Sequence, residues 1–233
     1  MKINGNGLSE KGFTIDELKL IQLSLSEKKI DSSYYNLNDY VENTESASLL
    51  IIRNGIKTIF NIEPNELYKE QLTFEWDKKY WDRRRQKVLN KHARYNVCYG
   101  LNSQIADYEN GNGTIISYDN VPLLNKWKSS LGLFFGDKAN DLEVEGNYYY
   151  DTKKCGIGFH GDSERKKVIA CSIGESRPIH WQWYHYSKPI GKRINFTLNN
   201  GDIYIMSEKT TGYDWKKYSK KTLRHAAGIK YVK

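Results

Sequence analysis

The sequence predicts a mainly β protein with a helical N-terminal extension. Short β-prone runs recur through its second half, separated by Gly and Asn turns, in the rhythm of a sandwich or jelly roll rather than of alternating βαβ units. Aromatic residues are plentiful, with 18 Tyr, 7 Phe and 6 Trp, so a hydrophobic fraction of only 39% still supplies a core. A single clear helix-start signal lies near the N-terminus. A length of 233 residues suits one all-β unit carrying an extension, divided here into residues 1–75 (helix plus hairpin) and 76–233 (core).

In chain order, Thr14-Ile15-Asp16-Glu17 has the T-x-x-E form of a capping box, followed by Leu18, Leu20, Ile21 and Leu23 at near-helical spacing. Leu49-Leu50-Ile51-Ile52 and Ile56-Lys57-Thr58-Ile59-Phe60 flank Asn54-Gly55, the signature of a tight β-hairpin. Trp76 to Arg94 is dense in aromatics and cations, including Arg83-Arg84-Arg85, and leads into a strand at Tyr95 to Tyr99. Thr114 to Tyr118 follows a Gly-Asn-Gly break, and Pro122 opens a helix that runs to Leu133. Further strands are expected at Val144 to Tyr150, Gly156 to His160, Lys167 to Ser172, Ile179 to Tyr186, Arg193 to Leu198, Asp202 to Met206 and Ile229 to Val232. No internal repeat is present.

Cys98, Cys155 and Cys171 are odd in number and widely spaced, which argues against a disulfide framework and a structural zinc site. Met1 to Gly12 lacks the apolar core of a secretory leader, and no run reaches the length of a membrane span. The expectation is an intracellular, soluble protein of cytoplasm or nucleus, with no membrane contact and no stable protein partner. A net charge of +8 and a pI near 9.1 favour a polyanion such as nucleic acid, although a lysine-heavy solvated surface reads the same way.

His160-Gly161-Asp162 sets an imidazole and a carboxylate two residues apart, so on an extended segment both side chains leave one face and reach one metal. His225, within Leu223-Arg224-His225-Ala226-Ala227-Gly228, is the candidate third ligand, though it also suits a hydrogen-bonded turn histidine. Two histidines and one carboxylate leave three metal positions open on one side, the ligand set of non-haem iron(II) oxygenases.

Further motifs give this triad a family setting. Asn147-Tyr148-Tyr149-Tyr150 precedes Gly158-Phe159-His160-Gly161-Asp162-Ser163-Glu164; Ser172-Ile173-Gly174-Glu175-Ser176-Arg177 and Asn200-Gly201-Asp202-Ile203-Tyr204-Ile205-Met206-Ser207 follow. In this order the motifs, over about residues 145 to 228, resemble those of the AlkB-like Fe(II)- and 2-oxoglutarate-dependent dioxygenases, with a fainter likeness at Asn90 to Asn96. The resemblance implies a double-stranded β-helix (jelly-roll) core, with His160, Asp162 and His225 as metal ligands and catalytic centre. It also implies that Asn147 and Tyr149 contact 2-oxoglutarate, with Tyr148 or Tyr150 as alternatives to Tyr149. The family anchors the distal carboxylate of this cosubstrate with an arginine on the last strand. This chain offers Lys230 there, a point charge without arginine's fork. Arg224 and Arg177 are substitutes, and Lys230 equally suits a solvent-facing strand position.

The resemblance also implies hydroxylation or oxidative demethylation of nucleic-acid bases, the alternative being a hydroxylase of a protein side chain or small molecule. Arg83, Arg84, Arg85 and Lys87 are candidate phosphate contacts, or else the wet face of an amphipathic helix. Residues 209 to 221 read as an insertion beside the metal, or as a loop closing two strands. Trp215, from this segment, and Arg177 are further candidates for contact with the substrate.

Overall fold

The computed structural model describes residues 11–39 and 41–232; residues 1–10, most of the segment read for a leader, lie outside them, as do 40 and 233. Helix α1, Ile15–Glu27, begins at the expected capping box: the Thr14 hydroxyl accepts from the Glu17 N–H, and the Glu17 carboxylate accepts from the Thr14 N–H. Its buried stripe is Leu18, Ile21 and Leu25, whereas Leu20 and Leu23, expected on the apolar face, are exposed.

Strands β1 (Ser32–Asn36) and β2 (Ser48–Ile52) pair antiparallel, but the expected hairpin at Asn54-Gly55 does not form. The chain turns at Asn54, in the left-handed region, into helix α2, Gly55–Thr58. The reason is occupancy: β2 is already bonded to β1 on one edge and to β12 (Ile203–Met206) on the other, leaving no edge for a hairpin partner. Asp202 secures the turn, accepting from the Asn54 N–H and pairing with Arg53 at 2.5 Å. Ile56 and Phe60, one helical turn apart, then bury together.

Helix α3 (Pro64–Glu70) leads to an antiparallel ribbon of β3 (Lys79–Asp82) and β4 (Lys87–Asn90), where the basic run had suggested a helix as one alternative. Strand β5 (Tyr95–Gly100) lies between β6 (Ile115–Ser117) and β7 (Glu145–Tyr148). The expected helix after Pro122 is two, α4 (Pro122–Ser129) and α5 (Leu131–Phe135). There follow β8 (Gly156–His160), β9 (Val168–Cys171), β10 (Arg177–His185), β11 (Lys188–Leu198), β12, and β13 (Thr222–Gly228).

The protein is thus mainly β, with several sheets. One four-stranded sheet has the order β1-β2-β12-β9 and another β11-β10-β13-β8, so the chain from β8 to β13 shuttles between them. Leu49 and Ile51 of β2 pack with Trp181 and Trp183 of β10 in one core, while Leu50 and Ile52 pack with α1, α2 and α4 residues in a second. The first sheet is therefore covered on both faces, which is why β2 is wholly buried and reads as a continuous apolar run. Residues 1–75 supply strands to this sheet as well as helices. The last expected strand, Ile229 to Val232, is instead a turn, because Gly228 at φ +88° ends β13 and a Cβ there would meet the Cys155 carbonyl at 2.7 Å. Among the described residues no helix is long and apolar enough to cross a membrane.

Candidate metal centre

Strands β8 and β13 are antiparallel neighbours, and their register sets His160 opposite His225. Both side chains leave the sheet on one face, with ring centroids 4.4 Å apart. Asp162 lies just past the end of β8, where its N–H donates to the Thr211 carbonyl at 2.9 Å, and its Oδ1 lies 3.9 Å from His225 Nε2. One ligand atom from each of the three residues lies within 4.8 Å of the other two, close enough for small side-chain adjustments to bring all three onto one ion.

Protonation favours ligation. The Gly158 carbonyl lies 2.9 Å from His160 Nδ1 and accepts its proton, which leaves the Nε2 lone pair free. Burial, reinforced by His160 and Arg165, brings His225 down to about 3, so its imidazole is neutral at physiological pH. The approach of His225 to Asp162 is therefore no ion pair. Burial also raises the Asp162 carboxyl, against the opposing pull of Arg165, His160 and Arg94. A cation shared by these three groups would stabilise the carboxylate that burial disfavours.

The segment after β12 is built against this motif. A Cβ at Gly161 would meet the Gly212 carbonyl at 2.0 Å, and one at Gly212, φ +69°, would meet the Leu223 carbonyl at 2.4 Å. Only glycines allow this approach. Lys209 and Asp214, both buried, pair at 2.8 Å and tie the two ends of the turn together. Trp215 then donates from Nε1 to the Ser163 hydroxyl at 2.8 Å.

A cavity of about 1800 Å³ opens over the triad. Of the expected site residues, His160, Asp162, His225, Asn147, Tyr149, Arg177 and Trp215 all line it. The Arg177 guanidinium lies 3.8 Å above the Tyr149 ring, and its Nη1 is buried without a hydrogen-bond partner. Among the lining residues that the sequence does not single out as site residues are Arg94, Arg165 and Tyr204. Arg94 donates to Asn147 Oδ1 at 2.6 Å, Arg165 pairs with Glu145 and Glu164, and Tyr204 is partly buried against Trp181. Arg94 lay within the faint likeness at residues 90–96, and Arg165 three positions past Asp162.

The remaining expected residues lie elsewhere. Lys230 is exposed on the turn after β13, away from the cavity lining, because Gly228 ends the strand that would have carried it inward. Arg224 is displaced for a simpler reason: alternation along β13 sends it to the face opposite His225. It lies between Tyr184 and Trp215. Arg83, Arg84 and Arg85 are exposed in the β3–β4 turn, where Asp82 accepts from the Arg84 and Arg85 N–H groups; Lys87 begins β4. None of the four lines the cavity.

Fold and site together define a mainly β protein with a two-histidine, one-carboxylate pocket. The chain is 44% identical over 232 residues to the uncharacterized protein R156 of Acanthamoeba polyphaga mimivirus, a match covering 97% of this chain and 89% of that protein. It belongs to the same family as that viral protein. No protein-family model matches the chain.

Proposed function

We propose that this protein is an Fe(II)- and 2-oxoglutarate-dependent dioxygenase with a double-stranded β-helix core, acting on nucleic-acid bases by hydroxylation or oxidative demethylation. The observation that carries this reading is the convergence of His160, Asp162 and His225 in a cavity that also presents Arg177, whose Nη1 is buried without a hydrogen-bond partner. The shuttling of β8 to β13 between two sheets supports the jelly roll, and the order of motifs along the chain supports the AlkB-like class.

The donor set fits iron: two imidazoles and one carboxylate hold the ion and leave its other side open. When bound, iron with 2-oxoglutarate and dioxygen supplies C–H hydroxylation coupled to decarboxylation of the cosubstrate to succinate. His160 and Asp162 hold the metal from the end of β8, and His225 completes the set from β13. Arg177, rather than Lys230, takes the anchoring role: with its buried Nη1 it pairs with the distal carboxylate, and the Tyr149 ring stacks against it. Asn147, oriented by Arg94, offers its amide N–H groups to the cosubstrate. Trp215 and Gly161 keep the turn seated over the metal and exclude water from that side. A cavity of about 1800 Å³ exceeds what a small metabolite fills, so it leaves room for a nucleotide beside the cosubstrate.

The β3–β4 turn favours a second reading, a hydroxylase of a protein side chain or small molecule, because Arg83 to Arg85 are not gathered around the cavity. One assay separates the two. Anaerobically iron-loaded protein is exposed to oxygen and 2-oxoglutarate, with and without methylated single-stranded oligonucleotides, beside His160→Ala. Succinate release stimulated by oligonucleotide and abolished in His160→Ala is expected. Release indifferent to oligonucleotide moves the substrate to the second reading, and undiminished release by His160→Ala removes the metal assignment.

A further inference from the structure

On the outer face of the second sheet, away from the metal, cations and rings form an unbroken row. The Arg193 guanidinium lies 5.1 Å from the Phe159 ring, Phe159 lies 5.9 Å from Tyr184, and the Arg224 guanidinium lies 4.1 Å from Tyr184 and 5.3 Å from Trp215. The row ends at the cavity, because Trp215 is part of the cavity wall. Lys216 adds an exposed ammonium 5.7 Å from the same Trp215 ring.

Arg224 is the unusual member. It is partly buried, its Nε has no hydrogen-bond partner, and among the described residues neither it nor Arg193 nor Lys216 forms an ion pair. A half-desolvated cation without a counter-charge is costly, and an anion supplied from outside removes that cost. Contact with both rings reduces the freedom that the guanidinium loses on binding.

Resting on the nucleic-acid reading above, we infer that Arg224, held between Tyr184 and Trp215, is a phosphodiester-binding subsite at the cavity mouth. It seats a backbone phosphate of the strand whose base enters the cavity. Arg193 and Lys216 extend the positive track on either side, and the strand reaches the metal past Trp215. Arg177 faces the other side of the sheet and serves the cosubstrate, so the two arginines have separate duties.

The test is binding of a fluorescein-labelled single-stranded oligonucleotide to the cobalt-loaded full chain, followed by anisotropy over a range of salt. Arg224→Met keeps the packing stem and removes charge and fork; Arg224→Lys keeps the charge alone. Arg224→Met should weaken binding about tenfold and reduce the salt slope by about one. Arg224→Lys should keep the slope and lose only part of the affinity, and it retains the test if the methionine variant does not take up cobalt. Wild-type affinity and slope in both variants would overturn the subsite while leaving the nucleic-acid reading intact. Absence of any wild-type binding at low salt would remove the nucleic-acid reading, and this inference with it.

Discussion

Replacing Arg177 by methionine should weaken cosubstrate binding without weakening the fold. In the free protein the Nη1 of Arg177 is buried and unpartnered, a condition that costs about 1–3 kcal/mol. Its stacking on Tyr149 at 3.8 Å returns about 0.5–2 kcal/mol. These contributions nearly cancel, and methionine restores much of the apolar stem, so urea unfolding of the variant should match wild type to within about 1 kcal/mol. A carboxylate bound by that fork loses about 1.5–3 kcal/mol of charge-assisted hydrogen bonding, which raises the KM for 2-oxoglutarate about 10- to 100-fold. Succinate release measured against 2-oxoglutarate concentration gives the second quantity. An unchanged KM combined with a stability loss above about 2 kcal/mol would show that Arg177 is a structural residue and refute the anchoring role.

Two other expectations follow from the geometry around the metal. Gly161→Ala places a methyl 2.0 Å from the Gly212 carbonyl and 2.8 Å from Trp215, so it should lower stability by about 1–3 kcal/mol and cobalt affinity by about tenfold or more, read by thermal unfolding and cobalt titration; wild-type cobalt affinity would mean that the turn does not seat the motif. His225, at about 3 in the fold against an ordinary 6.5, stays neutral when folded but takes up a proton in the unfolded chain below about pH 6.5. Its contribution to stability is intact above pH 6.5 and is lost as pH falls from 6.5 toward 3, by up to about 1.4 kcal/mol per pH unit. Metal-free wild type should therefore lose urea stability between about pH 7 and pH 5 more steeply than His225→Asn, and parallel curves would contradict the burial of a neutral ring.

Features that depend on local chemistry could be read from the residues alone. The capping box starting α1, the two-residue spacing of His160 and Asp162 and the glycine between them were all legible, because such signals act over a turn or a strand step. Most second-half strands were legible for the same reason. Features that depend on which edge or face is already taken emerged once the strands were packed together. Ile56 to Phe60 has a strand's composition, yet β2 had no free edge, so the segment coiled into the short helix α2 and the turn that follows it, against the core. Leu20 and Leu23 look apolar enough to bury, but the stripe facing the sheet is Leu18, Ile21 and Leu25. Lys230 lies five residues past His225, as an anchor on the last strand would, until Gly228 turns the chain outward. The inward placement of Arg177 and the outward turn of Arg224 came only from strand register, since pairing β10 with β13 settles which side of the sheet each arginine faces.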